Sequence, residues 1–139
     1  MECRVKWVEK MCFLGQDTNG HSVVMDTAPD FGGENRGVRP MELLLMGLGG
    51  CTSVDMVSIL KKGRFDLVDC EVEIDGSRAD KPPKVYTNIH VHYRITGRGI
   101  PADRIERAIQ LSKEKLCSAS IMLGMCAAIS HDYEYVELE

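Results

Sequence analysis

Alternation and helical rhythm divide this chain into a few readable stretches. Near the N-terminus Cys3, Val5 and Trp7 alternate with polar neighbours, and DTNG at 17–20 supplies turn chemistry before HSVVMD. Short strands are expected there. The segment TAPDFGGENRGVRP, 27–40, is rich in glycine and proline and reads as a connection. Pro40 suits a first helical position, where its missing N–H would be unpaired anyway. The pattern predicts a helix from Pro40 to about Lys62, ended by Gly63. Its apolar residues fall on nearly every side, as in a helix buried on most faces.

Two strands with distinct faces follow. In VDCEVEI, Val68, Cys70, Val72 and Ile74 alternate with Asp69, Glu71 and Glu73. In VYTNIHVHYRI, Val85, Ile89, Val91, Tyr93 and Ile95 share a face with Thr87, opposite Tyr86, Asn88, His90, His92 and Arg94. A surface loop, 77–84, joins them. From Pro101 a second helix keeps Ile105, Ala108, Ile109, Ser112 and Leu116 in a 3.6-residue rhythm. A short helix over SASIMLGM and a closing strand in ISHDYEYVEL complete the chain. Strands, a long helix, strands, helices and a strand, without regular βαβ alternation, indicate an α+β fold with mainly antiparallel pairing. A length of 139 residues suggests one domain, 1–139.

Composition narrows the function classes. With 44% hydrophobic and 27% charged residues the chain has the makeup of a globular protein. A net charge of −4 argues against a general nucleic-acid binder. The start MECRVKWVEK puts charges where an export signal needs an apolar core. Glu42 and Asp55 bound an uncharged run of only 12 residues, short of the roughly 18 expected of a membrane span. No membrane partner is expected, and the expected compartment is the cytoplasm, where six cysteines stay mostly reduced.

Those cysteines are Cys3, Cys12, Cys51, Cys70, Cys117 and Cys126, and no CxxC occurs among them. A zinc knuckle and a thioredoxin-type motif are thereby set aside. His90 and His92 share a strand face, but two imidazoles flanked by Asn88 and Arg94 make an incomplete metal site. No metal and no cofactor are expected. His21 and His131 read as ordinary strand residues. Cys70 and Cys3 fit small hydrophobes on strand faces, and Cys12 and Cys126 lie in no motif.

Cys51 stands apart, because Gly47, Gly49 and Gly50 precede it inside the longest apolar run. Each glycine weakens a helix interior by roughly 0.5–1 kcal/mol relative to alanine, a cost that close approach of a helix or ligand can offset. Two readings fit: a core cysteine among glycines that allow tight packing, or a reactive thiol. Reactivity needs the thiolate. A thiol with pKa ~8.5 is about 3% ionised at pH 7, and reaching about 90% takes ~3.4 kcal/mol of stabilisation. That asks for a nearby cation, and Arg36 and Arg39 are the candidates just before the helix.

RPMELLLMGLGGCTSVD and LCSASIML together resemble the OsmC/Ohr family of thiol peroxidases. Its members carry one cysteine in a central helix after Pro-x-Glu or Pro-Glu-x, and a second in a later Cys-Pro-Val-Ser-like helix. Pro40 precedes Cys51 by 11 residues, and Cys117 with Ser120 and Leu123 fits the second segment. The GGC and CSxxxML pairing looks most like an OsmC-like branch whose members are mostly named by fold. The resemblance implies an intertwined homodimer, its antiparallel sheet wrapped around long central helices. It also implies an organic hydroperoxide reductase with an apolar pocket at the dimer. Cys51 would be the nucleophile, Cys117 the resolving thiol, and an external dithiol, a lipoylated protein among them, the reductant. Arg39 and Glu42 would be the supporting polar residues. The family's acid directly after the proline is Met41 here, and Glu42 fits the Pro-x-Glu variant, while Ser118 replaces the proline after the second cysteine. On a continuous helix Glu42 and Cys51 would lie about 180° apart. A second implied reading is therefore a binding protein of the same fold, holding apolar small molecules with little or no turnover.

Overall fold

The computed structural model describes residues 1–139 and falls into two compact units, Met1–Leu44 and Leu45–Glu139. In the first unit three strands, β1 (Cys3–Glu9), β2 (Cys12–Asp17) and β3 (Ser22–Met25), form an antiparallel sheet in that order. The two-residue connection after Glu9 places Lys10 at φ 48°, and Gly20 supplies φ 86° at the next turn. All of β1 is exposed, including Trp7 and Cys3, so Cys3 is not the buried hydrophobe its alternation suggests. Cys12, by contrast, is buried.

The connection before the long helix is organised by Asp26, which is 2% exposed. Its carboxylate accepts backbone N–H bonds from Thr27 (2.7 Å), Glu34 (3.2 Å) and Arg36 (3.1 Å). Burial pushes its pKa up, but the N–H donors of Arg36, Thr27 and Glu34 outweigh that and hold it below the usual carboxylate range. Gly37 lets the chain pass within contact of Val24, where a Cβ would lie 2.2 Å from the Val24 carbonyl oxygen.

Helix α1 spans Pro40–Lys62, with Pro40 at its first position and Lys61 and Lys62 in its last turn. Gly63 N donates to Ile59 O, but the left-handed residue is Arg64, at φ 62°. Gly63 instead makes room for Phe65, whose ring carbon would lie 2.6 Å from an added Cβ. Only Leu48, Thr52, Met56 and Leu60 are fully buried in the single chain, one i, i+4 stripe rather than a helix covered all round. Leu44, Met46 and Val54 are exposed at 47%, 52% and 68%. By length and composition alone α1 could cross a membrane, with a mean hydropathy of 1.7 in its most apolar window. In the second unit it lies on that unit's own sheet. There Gly49 faces Ile74 and Leu45 sits over Gly76.

That second sheet runs β4 (Asp66–Arg78), β5 (Tyr86–Arg98), β6 (Ala128–Glu137). β4 and β5 form the expected antiparallel hairpin, whereas β6 joins β5 in parallel. The inner face of β5 is the core: Ile89, Val91, Tyr93 and Ile95 are at most 1% exposed. Parity fails at both ends of the hairpin: at the Ser77–Arg78 register shift Tyr86 is buried, at 4% exposure, while Val85 and Thr87 are exposed, the reverse of the faces expected from the sequence. A bulge between Leu67 and Asp69 turns Val68 outward, to 50% exposure, and Leu67 takes the inward place. Helix α2 (Ala102–Leu111) buries Ile105, Ala108 and Ile109, and then the backbone widens into a π-helical turn, Ser112–Leu116. The extra residue in that turn moves Leu116 out of the predicted rhythm, to 50% exposure. Helix α3 (Ser118–Leu123) leads back to β6.

Candidate active site

Cys51 and Asp55 sit one turn apart on α1, both half-buried beside the Leu48–Thr52–Met56 stripe. The second thiol arrives from a distant part of the sequence, positioned by the π-helical turn. Ser112, fully buried, does two things there. Its hydroxyl donates to Asp55 Oδ2 at 2.7 Å, and its carbonyl accepts the Cys117 N–H at 2.9 Å, an i to i+5 bond that closes the turn. Cys117 then leaves the helical region (φ −79°, ψ 102°) and caps α3, its Sγ accepting the Ser120 N–H at 3.3 Å.

Cys117 is 0% exposed, and its thiol is close enough to Cys51 for the two to interact electrostatically. Burial first, then neighbouring Cys51, with Asp55 adding to the effect, push its pKa up to about 12, against the opposing pull of the Ser120 N–H. At neutral pH Cys117 is therefore held as the protonated partner. The structure brings together the two cysteines singled out from the sequence, both as free thiols.

The floor of this cluster comes from the sheet. Tyr93 is fully buried, and its hydroxyl makes no hydrogen bond although Thr52 lies alongside. Burial first, then neighbouring Cys117, raise its pKa well above the usual tyrosine range, with Cys70 and Asp55 adding to the effect. The Thr52 hydroxyl is engaged elsewhere, donating to the Leu48 and Gly49 carbonyls at 3.1 Å each. His131 of β6 stacks on Tyr93 at 6.1 Å between ring centroids and 17° between planes. Neither of its buried ring nitrogens has a partner, and burial, with Lys113 and His90 contributing, lowers its pKa to about 4. It is thus no ordinary strand residue. Cys70 holds its inner-face place, its thiol pushed up first by burial and then by Asp69.

The other predicted residues lie in the first unit. Arg39 directs its guanidinium to the carbonyls of Gly37 (3.1 Å) and Asp26 (3.4 Å). Glu42 Oε1 accepts the Arg39 N–H at 2.8 Å, reaching back over the helix start as a capping acid does. Arg36 is ion-paired with Glu9 and Glu34, each at 2.6 Å.

His90 and His92 are not isolated from carboxylates. The parallel β6 brings Asp132 within 2.8 Å of His90 Nε2 and 2.7 Å of His92 Nδ1, with Glu134 3.2 Å from His92 Nε2. Asp132 first, then Glu134, raise the His92 pKa. The result is an exposed ionic ladder, and no group of three or more His, Cys, Asp or Glu side chains is arranged to hold a metal ion.

Sequence reading missed Asp55, Ser112, Tyr93 and His131. Asp55 alone carried a local signal, its i+4 spacing from Cys51 on one helix face.

A thiol pair held between a long central helix and a later helical cap, over a mixed sheet, defines a class, and comparison with known proteins identifies it. The chain belongs to the OsmC-like protein family, whose model matches residues 32–132. Protein YhfA of Escherichia coli is 43% identical over 136 residues, covering 98% of both chains. The crystal structure of a hypothetical protein from Aquifex aeolicus shares 31% identity at a TM-score of 0.81, covering 98% of this chain and 97% of that one. A crystal structure of an organic hydroperoxide resistance protein OsmC from Legionella pneumophila is 16% identical, covering 99% and 98%, with a TM-score of 0.71. At that identity the likeness concerns the fold alone.

Proposed function

We propose that this protein is a thiol-dependent organic hydroperoxide reductase working through Cys51 and Cys117. The observation that carries the reading is that these two thiols, 66 positions apart in the chain, come close enough to interact electrostatically. The Cys51 thiolate attacks the outer oxygen of ROOH; an S–O bond forms, the O–O bond breaks, and ROH leaves with a proton. The resulting sulfenic acid is attacked by Cys117, which forms the disulfide and releases water. An external dithiol, a lipoylated protein being one candidate, returns both thiols. Membership in the OsmC-like family and the fold shared with the Legionella protein support the choice of organic hydroperoxide as substrate. Arg39 and Glu42 are proposed as supporting residues. A homodimer is proposed as the working form, because Met46 and Val54 on α1 and Val5, Trp7 and Val8 on β1 leave apolar surface uncovered.

The test is anaerobic treatment with one equivalent of cumene hydroperoxide, then mass mapping of the thiols. A Cys51–Cys117 disulfide within seconds is the expected result, and two intact thiols would overturn the reading. Intact thiols would leave the second reading, a hydrophobic small-molecule binding protein of the same fold with little or no turnover. One observation favours it: Arg39 and Glu42 already have backbone partners, at 3.1 and 2.8 Å.

A further inference from the structure

Closing a disulfide requires Cys117 to lose its proton, and nothing about its setting makes that easy. It is 0% exposed, so water is kept from the thiol, and burial already holds it in the SH form. The base must come from the protein. The titratable groups around this thiol are Cys51 and Asp55 from α1 and Tyr93 and Cys70 from the sheet, with His131 stacked behind Tyr93 and Lys113 near His131. Cys51 is the electrophile at this stage. Tyr93 and Cys70 are protonated at neutral pH, and neither can take a proton. His131 does not act on the Cys117 thiol, and one carboxylate that does remains. Asp55 lies a turn from Cys51, and Ser112 ties its Oδ2 at 2.7 Å to the same turn whose carbonyl holds the Cys117 N–H at 2.9 Å.

We propose that Asp55, fixed by Ser112, accepts the Cys117 proton as the Cys51–Cys117 disulfide closes. The assignment rests on the two-thiol reading above. The Cys117 sulfur bonds to Cys51 sulfur, its proton passes to Asp55, and Asp55 gives that proton to the departing hydroxide, which leaves as water. The hydroxyl of Ser112 uses one carboxylate oxygen and leaves the other for the transfer, so Ser112 is a positioning residue.

An aromatic disulfide, 5,5′-dithiobis(2-nitrobenzoate), tests this without any hydroperoxide. In a Cys3→Ser/Cys126→Ser background, which removes the two exposed thiols, Cys51 attacks the reagent and releases one thionitrobenzoate. Cys117 then attacks the mixed disulfide and releases the second, in a phase that Cys117→Ser must abolish. Asp55→Asn should leave the first phase no slower and slow the second at least 10-fold at pH 7. The second phase should also change from nearly pH-independent to rising with hydroxide. Ser112→Ala should give an intermediate loss, and Asp55→Glu should restore part of the rate. An unchanged second phase in Asp55→Asn, or equal slowing of both phases, would overturn the proposal. If cumene hydroperoxide forms no disulfide while the second phase still depends on Asp55, the peroxidase reading falls and the role of Asp55 stands.

Discussion

The connection around Asp26 and the cluster around Cys117 both bury polar groups, and they treat them in opposite ways. Asp26 is met by three backbone donors, Arg36 by two carboxylates and Arg39 by two carbonyls. Among the buried side-chain polar atoms of that segment only the Thr27 hydroxyl lacks a partner. In the thiol cluster the Tyr93 hydroxyl and both His131 nitrogens are buried and unpartnered, and the Cys117 thiol is held far from ionisation. An unmade hydrogen bond on a buried polar group costs about 1–3 kcal/mol. A fold accepts such costs mostly where chemistry is done, so the satisfied region reads as scaffold and the unsatisfied one as site.

The largest expected effect tests the second half of that contrast. Cys51→Ser should abolish hydroperoxide consumption, whereas Cys117→Ser should allow about one turnover and leave Cys51 over-oxidised. Product counting by mass spectrometry separates the two. Full steady-state activity of Cys117→Ser with a dithiol would remove Cys117 from the resolving role.

Asp26 tests the first half. Asp26→Ala strands three backbone donors at a buried position, and the melting temperature should fall by on the order of 5–10 °C. Below that transition, both thionitrobenzoate phases should keep their wild-type rates. If melting hardly moves while the thiol kinetics collapse, the division into scaffold and site is wrong.

Legibility from sequence follows the same line. Local rules worked where one element decides: Pro40 opens α1, Lys62 ends it, and the β5 alternation puts Ile89, Val91, Tyr93 and Ile95 inside. They failed where one extra residue enters. The bulge at Leu67–Asp69 exposes Val68, and the π-helical turn exposes Leu116. Neither insertion has a signature in hydrophobic spacing. The thiol pair came from a resemblance rather than from periodicity. Ser112, Tyr93 and His131 reach the site only through tertiary packing, and the carboxylates beside His90 and His92 only through the parallel pairing of β6.

His131 and His92 sharpen the contrast within one sheet. The ring nitrogens of His131 are buried and its pKa is lowered to about 4, so it stays neutral in the folded state while an unfolded chain takes up a proton near pH 6.5. Stability from this residue is complete above pH 6.5 and is lost as pH falls toward 4, by on the order of 2 kcal/mol at pH 5. His92, raised by Asp132, contributes in the opposite sense: its stabilisation is present below pH 6.5 and fades as pH rises through its higher folded value. Denaturant melts of His131→Phe between pH 7 and 5 should show a flatter decline than wild type, and His92→Phe a steeper one. Parallel curves for all three proteins would break the argument.

The smallest effect asks what covers α1 next to the thiol. A Cβ on Gly49 would lie 2.9 Å from Ile74 Cδ1, the far end of a flexible side chain that can yield. A Cβ on Gly50 would meet nothing within 4 Å in the single chain. For a monomer, Gly50→Ala would therefore stabilise the helix by roughly 0.5–1 kcal/mol. Across a two-fold axis the same methyl enters the interface twice, and overpacking a filled interface costs about 1–3 kcal/mol per insertion. The proposed dimer thus reverses the sign. Gly50→Ala should weaken association, seen as a shift toward the 15.5 kDa chain mass in light scattering at low micromolar concentration. Gly49→Ala should leave the mass unchanged. A Gly50→Ala protein that melts higher, at a temperature independent of concentration, would show that solvent and not a second chain lies against Gly50.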